Sequence, residues 1–518
     1  MYTSPIKFDS PPYAPKGHTP EGFSRRASIL LWIQRTFLVC AGILHVLGTG
    51  MRNYNMMEFG NLCIYACIIV FCAADLCKRL ILLLFSLILF VFLSCRPLID
   101  CLTGTSWWEE YGQSDILFAL RSVALSLLML YLGAVLYVHA VRVHPEASTP
   151  RIPRLQAENC GSQNISDKRA LQITALCLYA VSMGCFLYGE LDKLIFMQGR
   201  DYSEYYLSYD AAYPFWIRTA GYCMPYALCA FLATLPKKKQ VFPVLALYLL
   251  SAVPSLMFGR RKQIVLNALF IFLYYAIRDS LKDEKRWLGR WETGVILTTL
   301  PAACIGLSAM NYLRDGFSAG DPVVVNIVVD LFHKQGVSFR TLCIGHAALP
   351  HLPGAARNFT FGPFIDQVLY GRIGLLLFGT DPLPAGNCAD LAARSHKLGD
   401  PLAFAAHPGY LEGHGFGSSY LLELFADYGF IGIAVYSFLL GILLIYCMDA
   451  MKKGWFIRTL MLSLLTNLFY IPRAAATDWL VFLIQIHFWF VVLVCLLGKK
   501  LLGRMRCRIL PRHQRSRQ

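Results

Sequence analysis

The sequence predicts an all-α polytopic integral membrane protein of about twelve spanning helices, each long enough for a hydrocarbon core of about 30 Å. Three observations carry that reading. The 518-residue chain is 56% hydrophobic and 15% charged, with a mean hydropathy of +0.49. Soluble domains run about 45–50% apolar and about 25% charged. Apolar windows of about 18 residues or more recur along almost the whole length, the mark of spanning helices. Lys and Arg gather in the short connections between those windows, as the positive-inside rule requires.

The windows fall near 29–49, 60–77, 79–95, 115–140, 170–190, 213–235, 240–258, 262–278, 292–311, 419–448, 455–472 and 475–498. With the N-terminus inside, the inner segments are the N-terminal tail, 78–79, 141–169, 236–240, 278–291, 449–454 and 499–518. These hold 29 of the chain's 48 Lys and Arg residues, eight of them in the last segment, so both ends are expected in the cytoplasm. The expected organisation is a tail over 1–28, nine spans over 29–311, a large outer loop over 312–418, three spans over 419–498 and a basic tail over 499–518. The first 28 residues are polar, Pro-rich and basic, and no small-residue cleavage site follows the first apolar run. The first helix is therefore expected to act as an uncleaved anchor.

A net charge of +16 raises nucleic acid as a partner, but charge confined to inter-helix connections is explained by topology alone. The 18 cysteines contain no CxxC pair, and most sit inside apolar helices, where a thiol behaves as a small hydrophobe. Cys343 and Cys388 share the outer loop, where an oxidising compartment would let them pair, although spacing does not fix connectivity. No metal-binding pattern is visible.

The outer loop, about 110 residues long, is of a length usually reserved for function. Its apolar runs "VVVNIVVDLF" and "IGLLLFG" are too short to span and are expected to lie at the membrane interface. Outer connections are poor in positive charge with two kinds of exception, the hinge together with Arg473 and the large loop itself. Arg260, Arg261 and Lys262 form the hinge "MFGRRKQ", Arg314 sits in "NYLRDGF", and Arg473 in "IPRAAATD". Long basic side chains at helix ends also snorkel to lipid head groups. Three arginines at the ends of different helices, however, can share one anionic ligand, and the guanidinium fork matches phosphate oxygens.

A second cluster is "AAHPGYLEGHGFGSSYLLELFADYGFIGIAVYSFLLG", residues 405–441. Ser418 and Ser419 have N-cap chemistry, and Glu423 sits favourably in the first turn of the helix that follows. Asp427 lies one turn on, and Gly429, Gly432, Ala434, Ser437 and Gly441 allow close helix approach. His407 and His414 carry imidazoles suited to general base catalysis near neutral pH.

The segment "GFGSSYLLELFADYGFIGIAVYSFLLG" resembles the late motif of the Wzy-type O-antigen or capsular repeat-unit polymerases. The matching positions are Gly415, Gly417, Ser418, Glu423, Gly429, Gly432 and Gly441. "FGRRK", "YLRDGF" and "IPRAAAT" are similar to the family's arginine positions, and the likeness runs from about 240 to about 475. The resemblance implies a glycosyltransferase C-type bundle in the bacterial inner membrane with a large periplasmic loop. It implies an enzyme that moves a growing glycan from undecaprenyl pyrophosphate to another lipid-linked repeat unit, with no metal and no cofactor. Arg260 and Arg314, assisted by Arg473 and with Arg261 beside them, would bind the pyrophosphate. His414 or His407 would be the base, with Glu423 orienting or activating. The implied partners are the lipid-linked oligosaccharide, membrane lipids and a polysaccharide chain-length regulator, and no nucleic acid. Two rivals remain: an O-antigen ligase acting on a lipid A core, and, from another class, a lipid-linked oligosaccharide flippase. Distinctive charges at the outer helix ends, rather than at the midplane, favour chemistry on the outer face.

Overall fold

The computed structural model describes residues 20–143, 161–200, 202–257, 259–281, 286–296, 298, 306, 324–353 and 358–515, and among these it is helical with no strand. Among the described residues eight helices are long and apolar enough to cross a membrane, beginning with Ser28–Gly50 inside α1 (Pro20–Gly50). There follow α2 (Tyr54–Ala73), α3 (Leu76–Leu102), α4 (Gln113–Val143) and α5 (Gly161–Phe196). α6 (Tyr202–Ser208) is a short surface helix. The expected 213–235 span is broken into α7 (Phe215–Tyr222) and α8 (Met224–Leu232), with Pro225 in the first turn of α8, where its missing N–H costs nothing. α9 (Lys238–Met257) and α10 (Lys262–Leu281) are paired spans joined through Gly259, at φ 89°, beside the Arg260–Lys262 hinge. The expected span 292–311 falls largely outside the described residues.

The large loop folds as short helices: α11 (Val324–Gln335), α12 (Val337–Ala348), α13 (Gly362–Leu369), α14 (Arg372–Phe378), α15 (Ala389–Arg394) and α16 (Gly399–Ala406). The run "IGLLLFG" is α14, with Leu376, Leu377 and Phe378 exposed, as an interfacial helix requires. Cys343 and Cys388 are both free: Cys343 is buried in α12, and the Cys388 sulfur caps α15 by accepting from the Leu391 N–H. The pairing considered from the sequence is therefore not made.

The last long helices are α17 (Tyr420–Ala450), the only one of the three among the eight, α18 (Trp455–Leu468) and α19 (Ile486–Arg515). The last helix thus starts at Ile486, later than the expected final span. The preceding residues form two 3₁₀ turns, Ile471–Arg473 and Asp478–Leu483. α17 packs most extensively on α4. Lipid tails supply no hydrophobic drive between helices, so this contact relies on close approach. A Cβ on Gly441 would strike the Leu130 carbonyl, and one on Gly133 the Phe438 carbonyl. Between them Ser126 bonds both Tyr420 (2.6 Å) and Ser437 (2.8 Å) through its hydroxyl. Gly429 acts differently: at φ 62°, ψ −156° it interrupts α17. The short first part of α17 is thereby free to follow the loop helices rather than the bundle axis.

Candidate active site

Irregular backbone at a membrane edge needs internal hydrogen-bond partners, and the loop-bearing end of the bundle supplies them from α17. Glu423 is fully buried; one carboxyl oxygen accepts from the Ser418 hydroxyl at 2.7 Å and the other from the Ala476 N–H at 2.7 Å. One turn on, Asp427 accepts from the N–H groups of Phe359 (3.1 Å) and Thr360 (2.6 Å). Thr477 donates its hydroxyl to the Thr360 carbonyl at 2.6 Å. Three segments distant in sequence, 358–360, 418–427 and 476–477, are thus tied together. Ser419 takes the N-cap position without making a side-chain cap; Ser418 instead spends its hydroxyl on Glu423.

The Ile471–Arg473 turn lies immediately before this tied segment, and one cation of the hinge packs beside it. The Lys262 ammonium sits 4.0 Å over the ring of Tyr470, which in turn packs edge-on against Phe92. Lys262 is within electrostatic reach of Arg260, Lys397 and Asp478. Arg260 donates to the Tyr205 hydroxyl at 3.0 Å and lies over the same ring, so α6 fixes its direction. Of the three hinge charges, Lys262 is the one placed against the Arg473 turn, whereas the sequence reading favoured Arg260. Arg473 is partly exposed on that turn. Arg314 lies outside the described residues.

The histidine loop packs on the other side of the turn. A Cβ on Gly417, at φ 77°, would lie 3.7 Å from the Arg473 carbonyl, and one on Gly399 would lie 3.4 Å from Gly417. His407 and His414 stack nearly parallel, with ring centres 5.9 Å apart. The Gly409 N–H donates to His407 Nδ1 at 3.1 Å, which leaves the proton of a neutral ring on Nε2. The exposed His414 ring has no hydrogen-bond partner among the described residues. Burial, then the charges of His414 and Arg340, holds His407 below the usual histidine pKa.

Beside the turn, between α13 and the end of α18, lies a cavity of about 450 Å³ whose walls include Lys397, Asp478, Gln367 and Asn467. Its rim is braced by Asp366, which accepts from the His396 backbone N–H (3.0 Å), the His396 ring (3.0 Å) and the Ser395 hydroxyl (3.2 Å). The sequence reading missed Lys397 and Asp478. The polar run "SHKLGD" and the acid ending "IPRAAATD" were their only local signals.

Fold and site together define a multi-pass membrane protein that gathers cations, two imidazoles and a polar cavity at one end of its bundle. A family model for the O-antigen polysaccharide polymerase Wzy matches residues 30–506, and the chain belongs to that family. The match extends the likeness seen in the second half of the sequence to nearly the whole chain. No curated protein and no solved structure matches it. Membership makes it an enzyme whose general activity is O-antigen repeat-unit polymerisation.

Proposed function

We propose that the chain transfers a growing glycan from undecaprenyl pyrophosphate to the non-reducing end of another lipid-linked repeat unit. The reaction occurs at the periplasmic face of the inner membrane, with both termini cytoplasmic. The eight long helices, the α7–α8 pair, α18, α19 and the apolar segment 292–311 make about twelve spans of a glycosyltransferase C-type bundle. The observation that carries the reading is the convergence of Lys262, Arg260 and Lys397 beside the Arg473 turn, with the histidine loop packed against that turn.

Cleaving the anomeric C–O bond leaves negative charge on the diphosphate, which preorganised cations stabilise as it develops. Lys262, Arg260 and Arg473 serve that role, with Arg261 and Arg314 as the further cations that the family likeness contributes. The acceptor hydroxyl loses its proton as it attacks. His414 takes it, because its ring is free to accept, whereas His407 already uses Nδ1 for Gly409 and holds its neighbour in place. Glu423 is a positioning residue: both of its oxygens are occupied inside the protein.

Reconstitution of the purified protein with lipid-linked repeat units tests this reading. Longer lipid-linked products without any lipid A core acceptor are expected. Transfer only to lipid A core would replace the reading with a ligase, and movement across the bilayer without a new glycosidic bond would replace it with a flippase.

A further inference from the structure

Resting on the polymerase reading, we infer that the cavity between α13, the end of α18 and the Asp478–Leu483 turn binds the carrier-proximal sugar of the lipid-linked glycan. Lys397 and Lys262 take the adjoining diphosphate. At about 450 Å³ the cavity is within the range of small-molecule sites, about 300–1,000 Å³. Its wall is mixed in the way a pyranose requires, since a sugar ring offers hydroxyls that donate and accept at its rim and C–H faces above and below. The Gln367 amide, the Lys397 ammonium and the Asp478 carboxylate are exposed at the cavity and make no side-chain hydrogen bond or salt bridge among the described residues. Asn467, also exposed there, makes only a long 3.4 Å contact to Thr466. Tyr226 forms an aromatic wall, held by its hydroxyl on Gln485 (2.9 Å) and stacked on Phe482.

Donors and acceptors left open on a rigid wall suit a ligand that brings both. The wall is rigid because Asp366 fixes the 395–396 backbone, and Trp479 donates to both the Ala476 carbonyl and the Tyr436 hydroxyl. Charge sets the orientation. Arg260 and Lys397 lie within electrostatic reach of Lys262, so cations gather on the Lys397 side of the cavity and the diphosphate enters there, while Asp478, also within reach of Lys262, offers its carboxylate to a sugar hydroxyl. Gln367 and Asn467 then meet the ring hydroxyls.

The test compares Gln367→Ala, Asn467→Ala and Lys397→Gln in the reconstituted full-length protein. Two readings are taken: KM for the lipid-linked repeat unit, and inhibition by a polyprenyl diphosphate carrying no sugar. Loss of one hydrogen bond to the sugar gives a roughly three- to tenfold rise in KM for Gln367→Ala and for Asn467→Ala. Inhibition by the sugar-free diphosphate stays at its wild-type strength in both. Lys397→Gln weakens both readings. Unchanged KM in both amide variants, or equal weakening of the sugar-free inhibitor, overturns the assignment while leaving the polymerase reading intact. If the wild-type protein elongates nothing, the polymerase reading fails. The cavity is then still judged by titrating the lipid-linked repeat unit against tryptophan fluorescence in the same variants, where binding unaffected by either amide substitution refutes it.

Discussion

Glu423 offers the sharpest separation of chemistry from architecture. Truncation by Glu423→Ala removes the acceptor for the Ala476 N–H and the Ser418 hydroxyl, both held at 2.7 Å around a fully buried side chain. A buried donor left unpaired costs about 1–3 kcal/mol, so the two together cost about 2–6 kcal/mol before any cavity term. Whole-protein stabilities are about 5–15 kcal/mol, which makes this a severe lesion. Glu423→Gln keeps an oxygen for the Ala476 N–H and turns its amide N–H₂ toward Ser418, whose hydroxyl also accepts. Its cost is about that of one neutral hydrogen bond, ~0.5–1.5 kcal/mol. The expected outcome is a strongly lowered Tm with lost elongation for Glu423→Ala, and near-native Tm with elongation retained for Glu423→Gln. Thermal unfolding in detergent and the product ladder from the reconstituted reaction measure the two quantities. A Glu423→Gln protein that is stable but inactive would refute the positioning role and return the carboxyl group to the chemistry.

Four further outcomes follow from the same geometry. Removing a charge-assisted bond to phosphate costs about 1.5–3 kcal/mol, so Arg260→Ala and Lys262→Ala each lower kcat/KM for lipid-linked substrate roughly ten- to hundredfold. Full activity in either variant removes that residue from the site. His414→Gln abolishes elongation while preserving Tm, whereas comparable activity to wild type would discard it as the base. His407 binds its proton more weakly folded than unfolded, so its contribution to stability is complete above the unfolded value near 6.5 and is lost as pH falls from there through the folded value. Tm measured between pH 5 and 8 should show a smaller acid decline in His407→Gln, and an identical decline would contradict the assignment. Gly441→Ala places a methyl group against the Leu130 carbonyl and costs about 1–3 kcal/mol by overpacking, visible as a lower Tm after solubilisation; an unchanged Tm would mean that α4 and α17 can separate freely.

What the sequence reveals, and what it withholds, divides along the physics of each signal. Helices such as α2, α4 and α17 are legible because lipid demands a long apolar run. The same criterion overstates the last span: "AAATDWLVFLIQ" is apolar enough, yet Asp478–Leu483 within it is a 3₁₀ turn and the residues before it are irregular, with the Ala476 N–H and Thr477 hydroxyl bonded to Glu423 and Thr360 instead of to a helix. Arg260 and Arg473 stand out as charges where topology disfavours them. Lys397 and Asp478 do not, since a lysine and an aspartate in a polar loop are unexceptional until folding brings them to one cavity. His407 and His414 were equivalent in sequence, and a single backbone N–H, that of Gly409, distinguishes them.

The two acids of the Gly-rich motif gain a common explanation from this arrangement. The backbone between Arg473 and Asp478 leaves helical geometry, with a 3₁₀ turn on either side. Backbone groups released at membrane depth need partners within the protein. Glu423 and Asp427, one turn apart on α17, supply acceptors to Ala476 on one side and to Phe359 and Thr360 on the other. The break at Gly429 separates the short segment carrying both acids, which reaches the loop at Phe359 and Thr360, from the rest of α17, and both parts pack on α4. An acidic residue followed by a glycine pair is then the combination needed to hold a cationic turn rigidly beside a sugar-sized cavity. On the proposed reaction the acids act by fixing the backbone around Ala476 and Thr360, and the proton transfer falls to the histidine loop.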